Sequence, residues 1–203
     1  MKIIPTTGLA LAVLAGPAVA DCFDQSALTR GLTVRYDNSD FTTIRRTGDG
    51  YQQIDEFYDA GDSMMRFRAH RGVYFVEEYE PGPDGAPIDG TGLIIEFPVD
   101  PATLPTPAAG VEWTGETVNI FDDGTRRPEV ATVGFVAAPS INLSGCDYEV
   151  LRTNVHYDWG DEGWLRLRYA YLPAIGTALL LSSQFDGEDP FTYTPVALEQ
   201  ATK

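Results

Sequence analysis

Lysine is almost missing from this chain, which contains only Lys2 and Lys203. Basic residues total 14 against 30 acidic ones, a formal charge of −16. That balance repels phosphate backbones and anionic headgroups, so neither nucleic-acid binding nor electrostatic docking on an anionic membrane is expected. Histidine is limited to His70 and His156. So few imidazoles leave little material for acid–base chemistry or a zinc site. No Gly-x-Ser-x-Gly elbow and no Gly-rich phosphate loop occurs. No apolar run reaches the roughly 20 residues of a membrane anchor, and no long segment keeps a helical period.

What is present begins with a leader. Met1-Lys2 is a short positive start, Ile3 to Ala15 is apolar, and Ala18-Val19-Ala20 is a small-x-small cleavage pattern. Residues 1–20 are therefore expected to be a signal peptide cleaved after Ala20. Residues 21–203 are then a single β domain, periplasmic or secreted. The leader carries one Lys and no acid, so the mature chain is more acidic still. Cys22 and Cys146 are the only cysteines. An even pair in an exported protein is expected to form a disulfide, here closing a very long loop worth roughly 4–5 kcal/mol in the chain-entropy account. A lipid anchor on Cys22 would need a small residue before it, and Asp21 stands there. A reactive or metal-binding thiol is the other alternative.

The mature chain is rich in strand formers, and turn residues recur every 8–12 positions. Leu32–Tyr36, Phe41–Thr47, Tyr51–Tyr58, Met64–His70 and Val73–Tyr79 read as an antiparallel meander with short connections. Two irregular loops interrupt the pattern, one starting at Glu80 and one running from Pro98 to Gly110, with a short strand at Leu93–Phe97 between them. They are candidate rims of a site, or simply mobile. Strands resume at Trp113–Phe121, Glu129–Ala137, Ile141–Leu143, Cys146–Asp158 and Trp164–Tyr171. In the last of these, Leu165, Leu167, Tyr169 and Tyr171 share one face, with Arg166 and Arg168 on the other. Ala178–Ser183 reads as a strand buried on both faces. Only Gln25–Arg30 offers a turn of helix.

The expected fold is all-β with minor helix: a strongly curved antiparallel sheet, half-barrel or open barrel. About ten strands cannot stay flat, because twist makes large sheets curl. The concave face must be filled by side chains, a helix or a ligand. Tyr and Trp suit a half-wet wall, and Tyr148, Trp164, Tyr169 and Tyr171 are the candidate ligand-binding residues.

Three stretches carry a family resemblance: Gly72-Val-Tyr-Phe-Val76, Gly145-Cys146-Asp147-Tyr148, and Arg168-Tyr-Ala-Tyr-Leu-Pro-Ala-Ile-Gly176. With the leader and the meander, their order resembles the LolA/LolB-like type, curved antiparallel half-barrels of the periplasm. It is also similar to uncharacterised secreted proteobacterial β-proteins with a Tyr-x-Tyr-Leu-Pro segment ending in Gly. The resemblance implies the half-barrel. Lipoprotein carriers of that type lid the half-barrel with helices, and this sequence has almost none, so no binding residue is transferred.

Candidate chemistry is sparse. His156 and Asp158 share a strand face, and Ser140, Ser144, Ser182 and Ser183 could supply a nucleophile in space. Asp122-Asp123, Asp161-Glu162 and Glu188-Asp189 lie in turn-like segments, where local hydrogen bonding favours Asp. Asp158 to Glu162 and Asp186 to Asp189 are oxygen-rich but miss the twelve-residue calcium-loop spacing. The pairs Arg66/Arg68 and Arg166/Arg168 could meet an anion or neutralise nearby acids. No catalytic residue, metal site or cofactor is assigned. The favoured function is an exported soluble β-domain that binds an apolar or amphiphilic, lipid-like small ligand in a concave sheet, with no membrane anchor. The second is a cell-envelope interaction module with an envelope protein as partner. A hydrolase is the third.

Overall fold

A computed structural model describes residues 22–202. The leader expected at residues 1–20 lies outside the described residues. Alternating apolar and polar positions, cut by short turns, fold into thirteen strands of one antiparallel sheet. In chain order they are β1 (Leu32–Tyr36), β2 (Phe41–Arg46), β3 (Gln52–Tyr58), β4 (Ser63–His70), β5 (Tyr74–Tyr79), β6 (Leu93–Glu96) and β7 (Glu112–Phe121). There follow β8 (Arg126–Leu143), β9 (Cys146–Asp158), β10 (Trp164–Leu172), β11 (Thr177–Phe185), β12 (Phe191–Thr192) and β13 (Pro195–Gln200). A single helical turn, α1 (Ala27–Arg30), precedes them. Every strand from β1 to β12 pairs with its sequence neighbour, and β13 returns to pair with β1. The sheet is curved but not closed.

Tight turns carry this meander. Arg71 and Gly72 both have positive φ (56° and 71°), as do Ser144 and Gly145 (52° and 83°). At Ser144-Gly145 that backbone closes a two-residue hairpin and matches the right-handed twist of its strands, whereas three residues, Arg71 to Val73, separate the paired His70 and Tyr74. β8 is longer than expected. One strand runs through the two segments expected as Glu129–Ala137 and Ile141–Leu143, because a register shift between Ala138 and Ile141 absorbs Pro139 without ending the ladder.

Curvature brings the first five strands against β8–β11. Phe75 of β5 meets Tyr169 of β10 with ring centroids 6.0 Å apart. A polar tie crosses the same space. Gln52 Nε2 donates to Gly176 O at 2.8 Å, and Thr177 Oγ1 donates to Gln52 Oε1 at 2.6 Å. Of the run Ala178–Ser183 expected to be buried on both faces, Ala178 to Leu180 are buried and Leu181 to Ser183 are half-buried.

The tip of the β8–β9 hairpin gathers both chain ends. Cys22 and Cys146 are disulfide-bonded across a separation of 124 residues. Phe23 N donates to the Tyr148 hydroxyl at 2.9 Å. Ser144 Oγ donates to Leu198 O and accepts from Leu198 N, at 2.9 and 3.0 Å. At the chain's end, Phe191–Thr192 pairs with β11 while Pro195–Gln200 pairs with β1. One continuous segment therefore spans the two edges of the sheet.

Candidate functional site

The concave side of the sheet encloses a cavity of about 250 Å³. Alternate residues of the surrounding strands point into it, as the two-residue period of a strand requires. β4 contributes Met65 and Phe67, β10 contributes Leu165, Leu167 and Tyr169, and β11 contributes Leu180. Phe185 also lines the cavity yet remains 49% exposed, which marks the opening to solvent. Against this apolar wall stand Glu56 and Tyr58 of β3 and Glu78 of β5.

Glu78 reaches the interior through a bulge. Arg68 pairs with Glu77 but Ala69 pairs with Phe75, so Val76 is an extra residue in β5. Simple alternation would put Phe75 and Glu77 on one face and Glu78 on the other. The extra residue resets the phase, and Phe75 and Glu78 both face the cavity.

Burial dominates the electrostatics here. Desolvation raises Glu56 to about 7, with the charges of Glu78 and Asp40 adding to the rise and the Tyr58 hydrogen bond opposing it. Desolvation also raises Glu78, helped by Glu129 and opposed by Arg127. The phenols of Tyr157 and Tyr169 are held far above their ordinary range by the same burial. Glu129 is a different kind of acid. It is 4% exposed and accepts hydrogen bonds from Thr117 Oγ1 (2.7 Å), Asn119 Nδ2 (3.0 Å) and Trp159 Nε1 (2.6 Å).

The four aromatics expected as a wall do not stand together. Tyr169 lines the cavity. Tyr171, one period further along β10, lines a more open cleft with Arg46, Arg71, Thr106 and Pro173. Tyr148 lies beside the disulfide and receives the Phe23 amide. Trp164 faces outward, with His156 at 6.0 Å between centroids and the Arg166 guanidinium 4.2 Å above its ring. The residues that sequence reasoning passed over are Glu56, Tyr58 and Glu78. Alternation in β3 already placed Glu56 with Ile54 and Tyr58, but nothing local signals the bulge that turns Glu78.

Neither long loop rims the cavity. Gly85 of the first accepts from Arg66 Nη1 at 3.3 Å on the opposite face of β4. Leu104 of the second is buried, and Pro105 O accepts from the Tyr74 hydroxyl at 2.8 Å. Arg66 is paired bidentately with Asp55 (2.6 and 3.1 Å), and Arg68 with Asp49 at 2.7 Å. Asp158 accepts the Gly160 amide, and Ser144 is committed to Leu198. Among the described residues no three His, Cys, Asp or Glu side chains converge to hold a metal ion. Nor is any helix among them long and apolar enough to cross a membrane.

No protein-family model matches the chain, and no curated protein matches it. Among solved structures it is similar to the hypothetical lipoprotein YmcC from Escherichia coli (K12), at a TM-score of 0.43 and 12% identity over 75% of this chain and 77% of that one.

Proposed function

We propose that this chain is an exported periplasmic or secreted β-domain that binds an apolar or amphiphilic small ligand on the concave face of its sheet. The cavity carries this reading. Its walls come from strands far apart in sequence, they are apolar with a few polar groups, and one side opens past Phe185. That combination is characteristic of small-molecule sites. The leader pattern at residues 1–20 supports export, and so does the Cys22–Cys146 bond, since disulfides persist in oxidising compartments. An interaction module without a ligand calls for an exposed aromatic edge with no enclosed space behind it, so the cavity favours ligand binding. The half-barrel likeness to LolA/LolB-type proteins supports the bowl but not their cargo, because α1 is the single α-helix among the described residues.

Native mass spectrometry of the protein recovered from a periplasm tests the reading. The expected result is a mature chain starting at Asp21 with an additional small-molecule mass that denaturation removes. A clean apo mass from every preparation, with no probe entering the cavity, would overturn it.

A further inference from the structure

The carboxylates facing the cavity have acceptor capacity that the chain does not use. Glu129, which does not line the cavity, has three donors, so its burial is compensated. Glu56 is 8% exposed, and only its Oε2 is engaged, by the Tyr58 hydroxyl. Among the described residues the Glu78 side chain makes no hydrogen bond or ion pair. Arg127 of β8 is the guanidinium whose charge reaches Glu78. It stacks on Trp159 at 4.2 Å and Phe121 at 5.2 Å, with Glu162 at 3.8 Å. Glu78 is half-buried, and the bulge at Val76 turns its carboxylate, which has no donor, toward the cavity.

Resting on the ligand-binding reading above, we infer that the ligand is a small monoamine with an apolar body, its ammonium held by Glu56 and Glu78 and its hydrocarbon packed on Met65, Phe67, Leu167 and Leu180. Charge complementarity decides the head. The residues lining the cavity include two carboxylates, Glu56 and Glu78, and no cationic side chain, and Tyr58, Tyr157 and Tyr169 are neutral phenols. Volume decides the body. About 250 Å³ holds on the order of ten non-hydrogen atoms, taking roughly 30 Å³ for each water-sized one.

The pH dependence follows from the groups around the pair. Asp40 from the β1–β2 turn and Glu78 from β5 act on Glu56, and Glu129 and Arg127 from β8 act on Glu78. Tyr36 of β1 is held protonated by burial, and Tyr193, between β12 and β13, is also raised. An ammonium needs the carboxylates ionised. Its affinity is therefore full above the Glu56 value of about 7 and declines as pH falls through it.

Isothermal titration of the mature protein with n-octylamine, n-octanol and n-octanoate tests this. Octylamine is expected to bind at least about tenfold tighter than octanol near pH 8, and to lose about tenfold by pH 5. Glu78→Gln, which breaks no hydrogen bond in the chain, and separately Glu56→Gln, should each weaken octylamine about tenfold and leave octanol unchanged. Leu167→Trp fills the cavity and should remove both. Octanol or octanoate binding as tightly as the amine, or amine binding unaffected by both Gln variants, overturns the amine head while leaving the ligand-binding reading intact. If no probe binds the folded protein, both fail.

Discussion

The Tyr58 hydroxyl donates a 2.5 Å hydrogen bond to Glu56 Oε2, from two residues along the same face of β3. The bond favours the ionised acid, but burial outweighs it, and Glu56 rests at about 7 against an ordinary 4.5. Between those values the folded state holds more protons than the unfolded one. Stability therefore falls as pH rises from about 4.5 through about 7, by up to about 3 kcal/mol. Glu56→Gln keeps an acceptor for Tyr58 and does not titrate. Urea denaturation should show the wild type losing about 2–3 kcal/mol relative to this variant between pH 5 and 8. Parallel pH profiles would remove the assignment.

The Cys22–Cys146 bond closes 124 residues and fastens the chain's start to the β8–β9 tip. Replacing both cysteines by serine should cost about 3–5 kcal/mol, seen as a lower denaturation midpoint in the absence of reductant. The wild type treated with reductant should converge on the variant. A midpoint shift equivalent to less than about 1 kcal/mol would show that the clip contributes little.

Gln52 and Thr177 tie the two halves of the bowl. Both are buried, at 3% and 0% exposure. Thr177→Val leaves Gln52 Oε1 without its donor and should cost about 1–3 kcal/mol. Gly72 is a more sensitive position. A Cβ there would lie 2.7 Å from Thr177 Oγ1 and 2.9 Å from Gln52 Oε1, on a backbone with φ of +71°. Gly72→Ala should therefore destabilise by about 2 kcal/mol or more, and its cost should shrink in a Thr177→Ala background, which removes the crowded Oγ1. Strict additivity would show that the two do not communicate.

Glu129 anchors Thr117, Asn119 and Trp159 from its place on β8. Glu129→Ala strands three buried donors and should cost about 3 kcal/mol by chemical denaturation, with a changed Trp159 fluorescence spectrum. Glu78→Gln, which strands no donor and removes a desolvated charge, should not destabilise the fold and should stabilise it near pH 8. Equal losses in the two variants would contradict the distinction between a satisfied and an unsatisfied acid.

Much of the fold was legible because strand period and turn chemistry are local signals. The runs from Leu32 to Tyr79 and from Cys146 to Tyr171 follow their alternation, and the inward face of β10 holds Leu165, Leu167 and Tyr169 as read. Cysteine number and compartment sufficed for the disulfide. The missed parts depend on partners far away in sequence. β12 and β13 are flanked by Pro190 and Pro195 and take strand form because two edges await them. Period two gives a side chain's face but not its height along the strand. That is why Tyr169 and Tyr171 point the same way yet reach different spaces. The bulge at Val76 has no sequence signature, and with it Glu78 was overlooked.

That the segment Phe191–Gln200 knits both borders of the sheet has a consequence for biogenesis. While Phe191–Gln200 is still inside a ribosome or a translocon, β1 and β11 each present a naked row of amides and carbonyls. The sheet's two edges are covered only once this segment has emerged. A chain stopped short of Phe191 should accumulate as aggregate or be degraded, however well its earlier hairpins form.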